Sequence, residues 1–301
     1  MFRFRILWIL FNILAIHSIS QAQPDTSDKK GNLYFNIGAG PIFYTYKDVL
    51  VSPNTYTTVG IHPGLELGYE KDFPNYHGQT SLYTGLQYLN DAPGRRYGTI
   101  TSQMLMAEFN TSRCWELKKI MRERITWQLG YNVTVGYSHE LNIKFQNSQY
   151  VFGLWTNAGI ANRFAYSFDI KGEKQLWFIH FRKPDYPFEI NWQLNVPLVG
   201  AITRPNYAGI LHFANGDFAQ DFIRMMKDNA NFTAFHNFQS VHSQIAFQAP
   251  LGNSNQLKIA YVWEGIHYGN NLTSLSESYG GVLVSLMFKM DSHPSIRSQR
   301  K

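Results

Sequence analysis

The chain has 301 residues, with 27 Lys and Arg against 21 Asp and Glu, and a single cysteine, Cys114. One thiol excludes an intramolecular disulfide framework and a cysteine-based zinc cluster, and is tolerable in an exported protein if buried. The formal charge of +6 is too mild to argue for a nucleic-acid partner, and 16% aromatic with only 16% charged residues, against about 25% charged in ordinary soluble domains, points to a membrane-embedded β-structure.

The first 22 residues read as a signal peptide. Arg3 and Arg5 make a short positive start, Ile6 to Ile16 an apolar core, and Ser20 and Ala22 a small-residue cleavage site. That core is too short to span a bilayer, which takes about 20 apolar residues. No Cys follows the cleavage site, so no lipid anchor is expected. Removing the leader leaves 25 basic against 21 acidic residues. Residues 23–31 then form an N-terminal segment expected in the periplasm.

From residue 32 to 290 the pattern is period-2. Successive side chains of a strand point to opposite faces. In "ITWQLGYNVTVGYS" this puts Ile125, Trp127, Leu129, Tyr131, Val133, Val135 and Tyr137 on one face. Thr126, Gln128, Gly130, Asn132, Thr134, Gly136 and Ser138 take the other. "PFEINWQLNVPLVGAI" sets Phe188, Ile190, Trp192, Leu194, Val196 and Leu198 against Glu189, Asn191, Gln193 and Asn195. "QLKIAYVWEG" repeats it through Leu257, Ile259, Tyr261 and Trp263. These segments reach the roughly 9–11 residues that cross a bilayer when tilted, and aromatics gather at their ends as in interfacial girdles.

Turn signals divide the chain into twelve expected strands: 32–46, 57–70, 79–89, 98–110, 125–138, 149–158, 161–170, 174–182, 187–202, 235–248, 256–267 and 279–290. The expected fold class is all-β, a single antiparallel transmembrane β-barrel of about 12 strands. An even count closes a barrel without a free edge. With both ends in the periplasm, the odd connections are extracellular and the even ones short, apart from a longer inner turn expected at 111–124. Residues 203–234 form the long extracellular loop. Within it Phe218, Phe222, Met225 and Met226 share one helical face, opposite Gln220, Arg224 and Lys227, and suit a helix that caps the mouth or meets a partner. Residues 291–301 are a basic tail expected in the periplasm.

Ionisable groups at bilayer depth must face the lumen and pair. The polar candidates there are His62, Glu66, Glu189, Gln193, Asn195, His242, Lys258 and Glu264. Ser240 shares a face with His242. Two short motifs invite comparison with outer-membrane lipid hydrolases, whose strand carries a His two residues before a nucleophilic Ser. Here His267 is followed at that spacing by Gly269 and His212 by Ala214, so the serine needed for acyl transfer is missing. No catalytic residue, cofactor or metal cluster is expected.

"PFEINWQLNVPLVGAITRPNYAG", then a long loop, then "LKIAYVWEGIHYGNNLTSLSESYGGVLVSLMF" resembles outer-membrane β-barrel proteins of Bacteroidota for which no activity is established. The shared features are a polar–aromatic strand, a Pro-Leu-Gly-like turn, a long loop and a Tyr-x-Trp strand, over about residues 187–290. The leader end "SISQAQ" also looks like signal-peptide ends of that phylum. The resemblance implies a barrel in the outer membrane of a Gram-negative bacterium and carries over no functional residue. The charged extension after Phe288 departs from it. Tyr279, Gly281, Val284 and Leu286 resemble in spacing the C-terminal signal read by the barrel-assembly machinery.

The expected partners are outer-membrane lipid, that machinery during insertion, and other outer-membrane proteins. The leading expectation is a narrow porin-like pore, a ligand-contacting barrel or an accessory subunit of an outer-membrane assembly. A lipid-modifying hydrolase (phospholipase or lipid A deacylase-like) and a structural or surface-interaction barrel with a plugged lumen are the alternatives.

Overall fold

The computed structural model describes residues 31–290, except 50–54, 59–60, 74, 92–100, 122–123, 143–149, 170–173, 177–178, 182–186, 205–229, 235–236, 252–253 and 270–273. The signal peptide, nearly all of segment 23–31 and the basic tail lie outside the described residues. So do His212 and the loop residues Phe218, Phe222, Met225 and Met226.

The described chain is all-β. Its long strands are β1 (Asn32–Asp48), β3 (His62–Phe73), β4 (Tyr76–Asp91), β5 (Thr101–Ile120), β6 (Ile125–Leu141), β7 (Tyr150–Phe168), β10 (Phe188–Thr203), β12 (Phe238–Pro250), β13 (Gln256–Tyr268) and β14 (Leu275–Met290). Short strands β2 (Tyr56–Thr58), β8 (Lys174–Leu176), β9 (Ile179–Phe181) and β11 (Ala230–Ala234) complete the set. Among the described residues no helix is long and apolar enough to cross a membrane.

Twelve of these strands form one antiparallel sheet, and β8 and β9 pair separately. The sheet closes because β14 returns to β1, with Phe35 opposite Phe288 and Tyr44 opposite Tyr279. β7 meets β10, with Trp192 opposite Phe164. β2 lies between β1 and β4, as β3 does, and β11 pairs with the late residues of β10. A closed ring leaves no unpaired edge, the condition for a sheet to exist in hydrocarbon, where no water can satisfy an orphan amide.

The expected count of twelve is reached by a different division. The break foreseen near residue 160 is absent, and β7 runs unbroken through it. Gly159 marks a close approach instead: a Cβ there would lie 2.0 Å from the Val196 carbonyl oxygen of β10. The polar stretch 111–124 is also mostly strand, because β5 continues to Ile120. Its polar residues alternate, with Ser112 buried inside and Trp115 and Leu117 exposed outside. Segment 174–182 supplies the separate β8–β9 pair. Segments 57–70 and 235–248 are each accompanied by a short strand, β2 and β11. Pro197, which cannot donate to a ladder, sits at the register shift of β10.

Alternation sorts the wall into two faces. Leu65, Leu67, Phe109, Leu129, Val135, Trp192, Ile259, Val284 and Leu286 are exposed outside, while Gln128, Asn132, Ser138, Asn191, Gln193 and Asn195 are buried inside. Such a continuous apolar belt suits lipid and not water. The rings of Trp127, Phe164 and Trp192 stack in a row with centroids 6.0 and 5.9 Å apart. They lie toward the end where the termini emerge. Toward the loop end the outer face of β1 turns polar at Thr45 and Lys47, so the strands outrun the apolar belt. Cys114 is buried.

Candidate functional site in the barrel lumen

Inward-facing side chains fill the lumen in two chemically distinct halves. In the half nearer the termini, the Lys258 ammonium of β13 donates to Glu66 Oε1 at 3.0 Å and Glu70 Oε1 at 2.7 Å, both on β3. Ser285 donates to the other Glu66 oxygen at 2.6 Å, and Gln248 to the other Glu70 oxygen at 3.1 Å. Gly38 makes the first of these possible: a Cβ there would fall 2.0 Å from Ser285 Oγ. A second ion pair joins Arg163 of β7 to Glu189 of β10. Arg163 also donates to Gln128 at 2.6 Å, and Asn191 to Glu189 at 2.8 Å.

Several bonds cross between strands that are not neighbours. Gln79 of β4 donates to Gln244 of β12 at 3.2 Å, and Gln193 of β10 to Ser112 of β5 at 3.0 Å. These are struts across the interior.

The half nearer the loops is mainly aromatic and apolar, with Asp48, Glu140, Arg204 and Glu277 buried among the rings. Tyr44, Tyr46, Tyr56, Leu89, Met104, Trp155, Phe238, Tyr268 and Leu275 belong to one buried cluster. Two of its tyrosine hydroxyls are tied to buried acids: Tyr44 donates to Glu277 and Tyr46 to Asp48 at 2.8 Å, while Ser138 of β6 reaches Glu277 of β14 at 3.3 Å. Arg204, just beyond β10, forms an ion pair with Asp48 of β1. Burial opposes its charge, but the Asp48 carboxylate holds the guanidinium above its ordinary range, so Arg204 stays protonated. A cavity of about 10 Å³ remains between Asp48, Ser138, Glu140, Arg204 and Glu277, room for roughly one water.

Where the halves meet, Glu108 of β5, His242 of β12 and Glu264 of β13 converge with one donor atom each, all within 4.8 Å of one another. His242 Nδ1 is 3.4 Å from Glu264 Oε2 and 3.9 Å from Glu108 Oε1. Glu264 accepts from Ser240 at 3.0 Å and from the Tyr279 hydroxyl at 2.9 Å. Both oxygens of Glu108, which is fully buried, lack a hydrogen-bond donor among the described residues.

Of the lumen candidates from sequence, Glu66, Gln193, Asn195, His242, Lys258 and Glu264 are buried inside, and Glu189 is half-buried against Arg163. His62 stands apart, its ring 5.4 Å from that of the exposed Tyr88. Sequence reasoning missed Glu70, Glu108, Arg163 and Glu277. Glu108 shares its face with Met104 and Met106, which are also buried. That mixing of apolar and charged residues on one inner face blurs the alternation, although parity along 104–112 carries the signal.

No family model matches the chain, and no curated protein is similar to it in sequence. Among solved structures, the outer membrane protease OmpT of Escherichia coli superposes with a TM-score of 0.51 at 9% identity, over 89% of this chain and 98% of that one. The translocator domain of the autotransporter NalP from Neisseria meningitidis gives 0.34 at 7% identity, covering 95% and 97%. The toluene transporter TodX of Pseudomonas putida gives 0.31 at 7%, covering 87% and 91%. At these identities the likeness concerns the fold alone: the chain is built as a transmembrane β-barrel of the kind found in bacterial outer membranes.

Proposed function

We propose that the protein is a closed, non-conducting barrel of a bacterial outer membrane, a scaffold whose contacts are made at its loops and lipid-facing wall. This is the plugged-lumen alternative, preferred over the pore. One observation carries it: the interior is spanned by side-chain bonds between non-adjacent strands, of which Gln79–Gln244, Gln193–Ser112 and the Lys258–Glu66–Glu70 cluster are the clearest. A pore needs a continuous wet path. Here Glu66, Glu70, Glu189 and the amides of Gln79, Gln193 and Gln244 are engaged with other side chains, and a packed aromatic layer lies beyond them. The belt of exposed apolar side chains supports insertion in lipid, and strands as the only crossing elements among the described residues support an outer-membrane location.

Planar-bilayer recording tests this. The expected result is no discrete current steps under applied voltage, and steady single-channel conductance overturns the reading in favour of the pore.

A second reading rests on a separate pair. His267 lacks a serine two positions on, but its Nδ1 lies 2.9 Å from Ser276 Oγ on the neighbouring strand, and both side chains are exposed on the outer wall near the loop end. A histidine beside a hydroxyl is the minimal unit of nucleophilic acyl transfer, and this one stands on the outer wall level with Lys47, just beyond the apolar belt. Labelling of Ser276 by a fluorophosphonate, abolished in Ser276→Ala, supports a hydrolase. Absence of labelling, with unchanged radiolabelled phospholipid after incubation, removes it.

A further inference from the structure

We infer that Glu108, His242 and Glu264 form a binding site for one divalent transition-metal ion inside the barrel. Most of the other buried acids have partners to hand: Lys258 serves Glu66 and Glu70, Arg163 serves Glu189, Arg204 serves Asp48, and Glu277 accepts from Tyr44 and Ser138. Among the described residues Glu108 has no such partner. It is 0% exposed, both its oxygens lack a donor, and a second carboxylate, Glu264, points at the same place. Glu140 shares the lack of a donor but has no second carboxylate and imidazole converging on it among the described residues. Two carboxylates in a dry interior repel unless something neutralises them, and the lone imidazole between them carries at most one positive charge.

The donor set suits a borderline metal. Two carboxylate oxygens and one imidazole nitrogen match Zn²⁺ or Mn²⁺ better than Ca²⁺ or Mg²⁺, which prefer oxygen alone. The spacing suits it too. Ligands bound tetrahedrally at about 2.0–2.1 Å stand roughly 3.3 Å apart, and the observed separations of 3.4 and 3.9 Å from His242 Nδ1 need only a small closing movement. Glu264 is already oriented by Ser240 and Tyr279, the outer support that metal-bound carboxylates normally have. Because β5 faces β12 and β13 across the ring, the ion would clamp opposite walls together. It would act as a structural strut, with its burial leaving no route for a bulky substrate.

The test uses the full chain, extracted from membranes in mild detergent and dialysed free of loose metal. Elemental analysis should find close to one equivalent of Zn²⁺ or Mn²⁺ per chain, and Zn²⁺ added during refolding should raise the midpoint of thermal unfolding. In Glu108→Gln and in His242→Gln the bound metal should drop at least tenfold and the Zn²⁺-dependent shift should vanish, while Glu70→Gln retains both. A metal-free native protein that gains no stability from Zn²⁺ or Mn²⁺ overturns the proposal and leaves a proton shared by the two carboxylates. Metal retained by Glu108→Gln overturns it equally. Conductance is read independently, so failure here and failure of the closed-barrel reading are distinguishable.

Discussion

Lys258 and Trp155 are both inward-facing and almost wholly buried, yet they hold their halves of the lumen by opposite means. Lys258 is surrounded by carboxylates and stands where charge is matched by charge. Trp155 lies over Gly136, where a Cβ would come within 2.1 Å of the indole, and stands where shape is matched by shape. The difference teaches how a barrel can fill itself without one continuous core. Near the termini the inner face was left polar by alternation and is stitched with ion pairs. Near the loops most inner positions carry rings and methionines, which pack as a soluble core does around the Arg204–Asp48 pair and Glu277.

The largest expected effect comes from breaking the charge match. Lys258→Met leaves Glu66 and Glu70 buried without their cation, which should cost about 3–5 kcal/mol. The urea midpoint in detergent micelles reads this. The triple variant K258M/E66Q/E70Q should recover most of the loss, because it removes the stranded charges together. A midpoint unchanged in K258M would erase the proposed distinction between the halves.

At the boundary, Tyr279→Phe removes the hydroxyl that donates to Glu264 at 2.9 Å. A hydrogen bond to a charged group contributes about 1.5–3 kcal/mol, so the same midpoint should fall by that amount. In the aromatic half, Gly136→Ala forces the Trp155 indole to shift. Overpacking of this kind costs about 1–3 kcal/mol. Its signature is a change in near-ultraviolet circular dichroism from the displaced ring, which K258M should not produce.

How much of this could be read beforehand depends on whether the property is local. The two faces of 125–138 were legible because side-chain alternation is set within a few residues. Leu129 and Val135 are exposed outside and Gln128 and Asn132 buried inside, as the period-2 reading requires. Closure of β14 on β1 was legible for a related reason, since every edge in lipid must be paired. The partners of the lumen charges were not. Lys258 and Glu66 are 192 positions apart, and which inward residues meet depends on the stagger of the strands, which no local pattern encodes. The break expected near residue 160 failed because a glycine there reads as a turn, when it permits the backbone of β10 to come close. Glu108 was passed over because its face also carries Met104 and Met106, so the charge did not stand out against a polar row.

The smallest effect is also the one that separates strength from sealing. Gln79 and Gln244 meet across the interior at 3.2 Å, and a neutral bond of this kind contributes about 0.5–1.5 kcal/mol. The double variant Q79A/Q244A should lower the unfolding midpoint by no more than that. It removes two long side chains from the polar half and opens a gap that water can enter from the terminal end. If the aromatic half seals the barrel by itself, the gap is a blind pocket and planar-bilayer current stays absent. Discrete conductance steps in Q79A/Q244A would mean that the polar struts, and not the rings, close the path. The rings would then serve only to stiffen the wall that carries the loops.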